Sequence, residues 1–381
     1  METVYFGIIL FLFLLAIFDL VVGVSNDAVN FLSSAVGAKV APYRVIMWIA
    51  ATGILCGALM SNGMMEIARH GIFRPEQFFF QELVCIFLAV MVTDVLVLDV
   101  FNTLGLPTST TVSMVFELLG GTFALTLVKM AGTEGMHFAD YLNTEKALSV
   151  IMGIFLSVAI AFFFGMVVQW LARLVFTFRY RERLKWTIGL FGGIASTAIV
   201  YFMLIKGVKD TTFMTSGAKA WIAAHGTLIA GCCLVGFTLL MQVLHWLRVN
   251  VFKVVVLLGT FALALAFAGN DLVNFIGVPL AGYDSYLDYA AHGAGSDTYL
   301  MSSLNEPART PFLFLAAAGV IMVWTLCTSK KAQKVIKTSV DLSRQDEGEE
   351  MFGSSAVARS IVRTSMSLAQ TLSNITPPRM R

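Results

Sequence analysis

The most informative polar residues of this 381-residue chain form a short motif that occurs twice. Residues 26–31 read Asn-Asp-Ala-Val-Asn-Phe, and residues 270–275 read Asn-Asp-Leu-Val-Asn-Phe, so five of six positions match at an offset of 244. Both copies follow an apolar run and lead into a stretch of small residues that contains a proline. A match of this kind indicates an internal repeat.

Each copy of the motif offers one carboxylate and two side-chain amides. In a helix, Asn26 and Asn30 share a face because they are four residues apart, and Asp27 lies about 100° round from Asn26. The second copy repeats this set with Asn270, Asp271 and Asn274. Carboxylate and amide oxygens suit Na⁺ or a proton pathway and do not suit a soft metal ion. We therefore predict that these six residues bind a cation, with Na⁺ as the candidate metal ion.

A second polar signal lies at residues 105–111, which read Gly-Leu-Pro-Thr-Ser-Thr-Thr. Proline favours the first turn of a helix, and serine or threonine favours the position just before it. The pattern therefore predicts a helix start inside an otherwise apolar region. The free N–H groups and the positive dipole end of such a start suit an oxyanion, and Ser109, Thr110 and Thr111 add hydroxyl donors.

The two signals together describe an oxyanion that is held by donors and has carboxylates close by. Hydrogen phosphate fits this combination, because its P–OH group needs an acceptor, whereas sulfate has no such proton. Bound cations would offset the remaining repulsion. We therefore predict that Asp27 and Asp271 contact the substrate together with Ser109, Thr110 and Thr111.

The composition sets the environment in which this chemistry takes place. Apolar residues make up 57% of the chain and charged residues 13%, where soluble domains carry about 25%. The mean hydropathy is +0.80. These values exclude a cytosolic enzyme, a nucleic-acid-binding protein and a disordered protein, and they indicate an all-α polytopic membrane protein. The five cysteines lie inside apolar runs without metal-ligand spacing.

Long apolar runs predict about nine membrane-spanning helices, since a span needs roughly 20 apolar residues. The predicted spans are 5–24, 45–68, 82–103, 109–130, 148–172, 186–206, 219–245, 251–269 and 311–328. Clusters of Lys and Arg at 173–185 and 330–337 fall on one side, which the positive-inside rule makes cytoplasmic. The N-terminus is then expected outside, and the segment 282–310 is expected to be an outer loop.

The first motif ends the first predicted span, and the second motif ends the eighth. Because successive spans run in opposite directions and these two are seven apart, the two repeats are predicted to have inverted topology. Inverted repeats with broken helices are typical of secondary transporters. The chain is accordingly divided into a first transmembrane repeat at 1–135, connecting transmembrane helices at 136–248, a partial second repeat at 249–328 and a polar cytoplasmic tail at 329–381. Within the tail, residues 354–374 are open to two interpretations, an amphipathic helix or a disordered segment.

Several other acidic residues lie within the apolar runs. Asp19 precedes Asp27 by eight residues and falls on roughly the same helix face. Asp94, Asp99 and Glu117 lie in the third and fourth predicted spans. Because an ionisable residue at membrane depth indicates a functional role, these four are weaker candidates for an ion path.

At these residues the chain resembles the inorganic phosphate transporter (PiT) family. The doubled Asn-Asp-x-x-Asn motif and the Pro-x-Ser-Thr-Thr motif carry the resemblance, which covers about residues 5–130 and 250–328. It implies a symporter that moves phosphate with Na⁺, or with H⁺ as metal phosphate. It also implies that the two Asn-Asp-x-x-Asn motifs bind cation and phosphate and that Ser109, Thr110 and Thr111 contact phosphate. No cofactor beyond the coupling ion is implied.

Two departures from the family pattern stand out. The family often has His after Ser-Thr-Thr, and here position 112 is Val. The family also carries a second Pro-x-Ser-Thr-Thr after the second Asn-Asp motif, and nothing between residues 276 and 381 matches it. We therefore expect the chain to be an N-terminal portion, or a truncated product, that lacks half of the phosphate-binding groups.

Other functions remain alternatives at this point. A transporter of another oxyanion or of a metal-phosphate complex fits the same residues. An ion channel fits less well, because a channel needs no coupling site. An intramembrane enzyme is disfavoured, because Ser109 has no His near it in sequence and no Gly-x-Ser-x-Gly occurs. The expected partners are phosphate, a coupling cation, the lipid bilayer of an inner membrane and a second copy of the chain, and nucleic acid is not among them.

Overall fold

The computed structural model describes residues 2–61, 69, 71–132, 137–176, 180–204, 215–292, 295–305, 310–342, 360 and 362–367. In these ranges the backbone forms helices, joined by loops that contain two isolated β-bridges. The main helices are α1 (Glu2–Gly37), α2 (Tyr43–Met60), α3 (Phe80–Leu104), α4 (Thr110–Gly132), α5 (Phe138–Tyr141), α6 (Thr144–Phe176), α7 (Tyr180–Met203), α8 (Ser216–Ala224), α9 (Gly226–Trp246), α10 (Val251–His292), α11 (Phe312–Thr328) and α12 (Lys330–Leu342).

Seven of these helices are long and apolar enough to cross a membrane, within the described part of the chain. An eighth span results if α11 and α12, which are bent by 65° at Ser329, count as one broken span. The all-α polytopic fold is therefore confirmed, but the expected number of nine is too high by these criteria. The predicted sixth span is a shorter apolar helix, Thr187–Met203, because the first turns of α7 carry charged residues.

The helices that carry the Asn-Asp motifs are longer than the sequence predicted. We expected the first span to end at residue 24 and the eighth at residue 269, with each motif at a helix end. Instead, α1 continues to Gly37 and α10 continues to His292, with Pro279 in its interior. The motif side chains find partners inside the bundle, so the helices do not have to end there. The expected outer loop 282–310 accordingly begins as helix.

The helices α1 and α10 pack against each other in antiparallel orientation. Tyr5 lies 6.0 Å from Tyr289 between ring centroids, and further along the pair Leu12 lies against Gly282. At the motifs, the ring of Phe275 occupies the position that a Cβ on Gly23 would need. Antiparallel motif helices are what inverted repeats require.

The described chain forms two compact units, Met1–Val340 and Asp341–Arg381. In the first unit, α1 and α10 form the centre, and α2, α3, α4 and α11 surround them. The most apolar stretch of α6 has no buried residue, which is typical of a helix face that meets lipid. In the second unit, residues 362–367 form an exposed helical segment, and most of the predicted amphipathic helix at 354–374 lies outside the described residues.

The connecting segments gather at two opposite ends of the bundle. At one end, the Tyr5 hydroxyl donates to Ser296 Oγ at 3.0 Å, beside the start of α3. At the other end, Gly37 lies against Val340, and Gly105 lies against Lys334. The start of α1 and the segment 295–305 are therefore at one end, whereas α12 is at the other.

The closest approach of α2 to α10 depends on two glycines spaced four residues apart. A Cβ on Gly57 would come to 2.2 Å from the carbonyl oxygen of Leu265, and a Cβ on Gly53 to 2.6 Å from that of Phe261. One turn later, Ser61 Oγ donates to the carbonyl of Gly269 at 2.9 Å. Small residues at this spacing are typical of tightly packed membrane helices.

We expect Gly57→Ala to destabilise the bundle, because its Cβ has to push α2 away from the backbone of α10. Overpacking of a close contact costs roughly 1–3 kcal/mol. The same substitution at Gly153, which has no atom within 4 Å of the new Cβ, is the matched control. The measurement is the thermal unfolding midpoint of both variants in one detergent, and equal midpoints would refute the assigned packing.

Candidate substrate and cation site

The connection between α3 and α4 is fixed to α1 by the side chain of Asn26. Its amide nitrogen donates to Asn102 Oδ1 at 2.9 Å and to the carbonyl of Leu106 at 3.0 Å. Its amide oxygen accepts from the backbone N–H of Thr108 at 2.7 Å. The turn itself requires Gly105, whose φ of 76° lies in the left-handed region. Asn26 thus uses both of its N–H donors and its oxygen within the protein.

Asn102 completes this clamp from α3. It is fully buried, and its amide nitrogen donates to the carbonyl of Val22 at 2.7 Å. Because the amide nitrogen and the amide oxygen of this buried side chain both have partners, they help to hold α1, α3 and the connection between α3 and α4 in one arrangement. In the sequence, Asn102 lies near the end of the predicted third span, 82–103. Its spacing gave no signal that it would pair with Asn26.

The helix start predicted at residues 105–111 is confirmed, because α4 begins at Thr110. Ser109 Oγ accepts from the backbone N–H of Val112 at 3.4 Å, three residues on, as a helix-capping serine does. Pro107 and Gly105 bring the chain into this turn from the end of α3.

The first threonine of α4 binds the first motif. Thr110 Oγ1 donates to Asp27 Oδ2 at 2.8 Å, and Asn30 Nδ2 donates to the other carboxylate oxygen at 3.3 Å. Asp27 is 3% exposed and Thr110 is 2% exposed. The carboxylate of the first motif is therefore buried and held by two donors.

The next residue, Thr111, binds the second motif. Asn274 Nδ2 donates to Thr111 Oγ1 at 2.8 Å and lies 3.4 Å from Asp271 Oδ1. Asp271 interacts with Thr111 and also acts electrostatically on Asp27. Adjacent hydroxyls at one helix start thus contact the two copies of the motif, one copy each.

The structure brings Asp27, Asp271, Asn274, Thr110 and Thr111 together at this point. Three other predicted site residues have exposed side chains at its edge, namely Asn30, Asn270 and Ser109. The remaining one, Asn26, belongs to the clamp described above, and its cation-binding role stays a prediction.

A second helix start lies beside the first motif. Ser329 Oγ accepts from the backbone N–H of Ala332 at 3.1 Å, which caps α12, and it lies 2.7 Å from Ser25 Oγ. This break between α11 and α12 follows the second Asn-Asp motif in the chain. The local sequence here is Cys-Thr-Ser-Lys-Lys, so no motif match could have identified it.

The arrangement combines hydroxyl and amide donors with two carboxylates in a protected environment. Hydroxyl groups can donate to an oxyanion and accept from its P–OH group, and the two carboxylates can accept a proton or contact a cation. Two acidic groups near each other in a medium of low dielectric constant repel strongly unless a proton or a cation lies with them. The site can therefore hold an oxyanion together with positive charge.

Comparisons with known proteins give a family match and a structural match. The model of the phosphate transporter family matches residues 23–339. A solved structure described as "The sodium-dependent phosphate transporter" aligns with a TM-score of 0.66 at 18% identity, covering 88% of this chain and 78% of that chain. A comparison with curated protein sequences finds no significant match.

The structural likeness, at this low identity, establishes the shared fold. The family model covers both Asn-Asp motifs, the helix start at Thr110 and most of α12. The chain therefore belongs to the phosphate transporter family.

Proposed function

We propose that this protein is a symporter that carries inorganic phosphate across the membrane together with a cation, Na⁺ or H⁺. The observation that supports it most directly is the contact of Thr110 and Thr111 with one Asn-Asp motif each. A substrate bound at these hydroxyls would touch both repeats at once. Transport by alternating access needs a site of this kind, which lies between two repeats that move against each other.

Phosphate is the substrate that suits this donor and acceptor set. The N-terminus of α4 and its hydroxyls would bind the anionic oxygens, as helix starts bind phosphate in other proteins. Asp27 or Asp271 would accept a hydrogen bond from the P–OH group of hydrogen phosphate. Sulfate cannot donate this hydrogen bond, so a carboxylate facing it would be left repelling an anion.

The coupling cation would neutralise the same two carboxylates. Asp27 and Asp271 act on each other electrostatically, and a doubly charged phosphate beside them would add further negative charge. Binding of a cation lowers this repulsion, and so phosphate binds more tightly when the cation is present. By linkage, phosphate must increase the affinity for the cation by the same factor.

The alternative cargo is a metal-phosphate complex or another tetrahedral oxyanion. Both fit the hydroxyl donors of α4, but only the metal-phosphate complex brings its own positive charge to the carboxylates. This alternative predicts that phosphate uptake needs a divalent cation.

The experiment that tests the proposal is uptake of labelled phosphate by the purified protein in liposomes. We expect uptake to follow an imposed Na⁺ gradient or pH gradient, and excess sulfate to leave it unchanged. Uptake that requires a divalent cation would favour the metal-phosphate alternative. Absence of uptake under all three conditions would refute the symport function.

We expect Asp27→Asn and Asp271→Asn each to abolish coupled phosphate uptake while leaving membrane insertion intact. The amide keeps the shape of the carboxyl group but removes the charge that binds the cation. Asp297→Asn is the matched control, since Asp297 is exposed in the loop 295–305. Uptake by both motif variants at the parent rate would show that the carboxylates are misassigned.

Replacing the threonines tests the substrate contacts. Thr110→Val and Thr111→Val each remove a hydroxyl that would bind the charged phosphate, a contact worth roughly 1.5–3 kcal/mol. We expect phosphate affinity to fall about tenfold or more. Thr126→Val is the control in the same helix, because the Thr126 hydroxyl bonds only within α4, to the carbonyl of Thr122 at 2.8 Å. Equal affinities in all three variants would exclude a role for these hydroxyls.

We further propose that the protein lies in an inner membrane with its N-terminus outside and its C-terminal tail in the cytoplasm. The Lys and Arg clusters support this orientation. In a cysteine-free background, Asp297→Cys should react with an impermeant thiol reagent added outside, and Lys337→Cys should react only after the membrane is opened. Both side chains are exposed. The reverse pattern would invert the assigned topology.

A further inference from the structure

A second group of acidic residues lies in the bundle, apart from the motif site. Asp19 on α1 is 0% exposed and Asp94 on α3 is 2% exposed. Glu117 on α4 is partly buried beside them. Asp19 precedes Asp27 by eight residues, which corresponds to about 12 Å along a helix.

These carboxylates lack the partners that buried charges normally have. Both oxygens of Asp19 are buried without a hydrogen-bond partner, as are one oxygen of Asp94 and one of Glu117. The other Glu117 oxygen accepts from Ser113 Oγ at 2.7 Å. A buried carboxylate without a partner is strongly disfavoured as an anion.

The ion pairs found among the described residues all lie elsewhere in the protein. The charged neighbours of Asp19 are Asp94, Glu117 and Asp27, all of them acidic. Of the other helices that pack on α1, α10 contributes Asp271 near Asp27. In α11 there is no acidic or basic residue, and the one basic residue of α2, Arg44, is exposed. No cation of the described chain therefore neutralises the group.

The chemistry of the contacts favours a proton over a metal ion. Asp19 and Asp94 are neighbours with buried oxygens that lack a donor, and two carboxyl groups can share a hydrogen bond only when one of them carries a proton. In the described part of the chain, no three His, Cys, Asp or Glu side chains converge on a common point where a metal ion could bind.

A cleft lies beside the group on the side of α4. A cleft of about 460 Å³ between α3 and α4 is lined by Ser113, Glu117 and Thr93. Gly120 and Gly121 also line it, and no side chain at these positions fills the space. Ser113 donates to Glu117 and lies near Asp94, the neighbour of Asp19, so polar side chains lead from the cleft toward the buried carboxylates.

We propose that Asp19, Asp94 and Glu117 form a proton-binding site that is loaded through the cleft between α3 and α4. A proton from water in the cleft binds Glu117. The Ser113 hydroxyl passes its own proton to Asp94 and takes one from Glu117, and the proton is then shared between Asp94 and Asp19. The existence of this site is independent of phosphate, whereas its use in transport rests on the function proposed above.

The test is infrared difference spectroscopy of the full chain in lipid nanodiscs, without phosphate, across a pH titration. We expect a band from a protonated carboxyl group near neutral pH that disappears at high pH. Asp19→Asn and Asp94→Asn should each remove the band. Asp99→Asn should leave it unchanged, because Asp99 is on the same helix as Asp94 but is exposed and paired with Lys331.

Glu117→Gln tests the entry path separately. It should leave the band of the Asp19–Asp94 pair in place but slow its appearance after a rapid drop in pH. A band that persists in both aspartate variants would overturn the proposal. Loss of the band on adding Na⁺ at constant pH would also overturn it, in favour of a sodium site.

The same preparations separate this proposal from the transport function. A protein that shows the band but takes up no phosphate under any gradient retains the proton site and refutes the symporter. A protein that takes up phosphate but shows no such band refutes the proton site alone.

Discussion

The hydrogen bonds of Thr110 and Thr111 join three helices at one point, and the arrangement of the bundle depends on them. The hydroxyl of Thr110 contacts the motif of α1, and that of Thr111 contacts the motif of α10. In a membrane protein, buried polar groups have to be satisfied by other parts of the protein, since lipid offers no hydrogen bonds. The two motifs can therefore lie inside long, uninterrupted helices only because the start of α4 meets them there.

The contact also requires the helices to approach one another closely. Gly23 leaves room for the ring of Phe275 between the two motif helices, and Gly57 lets α2 lie against the backbone of α10. Van der Waals packing drives association between membrane helices, because lipid is as apolar as the side chains. Close packing through small residues thus holds the helices in place, and the threonine hydrogen bonds fix which residues meet.

Much of this site could be predicted from the sequence, because repetition and local helix chemistry leave clear signals. The doubled motif predicted two equivalent helices, and Pro107 with Ser109 predicted the start of α4. The helix ends of α1 and α10 could not be predicted, since apolarity alone does not show that a buried Asp27 will find partners. The clamp of Asn26 and Asn102, and the pairing of Ser25 with Ser329, link segments far apart in the chain and leave no local pattern.

The helix α1 carries an acidic residue of each group, Asp19 of the proposed proton site and Asp27 of the motif site. Asp19 and Asp27 lie about two turns apart on α1; Asp27 acts electrostatically on Asp19, and Asp94 acts on Asp27. If a proton binds the Asp19–Asp94 pair, one negative charge is removed near Asp27, and the repulsion that an incoming phosphate meets becomes smaller. Because such coupling is reciprocal, an anion bound at Thr110 and Thr111 must in turn favour protonation of Asp19. Coupling between the proton site and the phosphate site would then require no conformational change, since the electrostatic interaction between their carboxylates is sufficient.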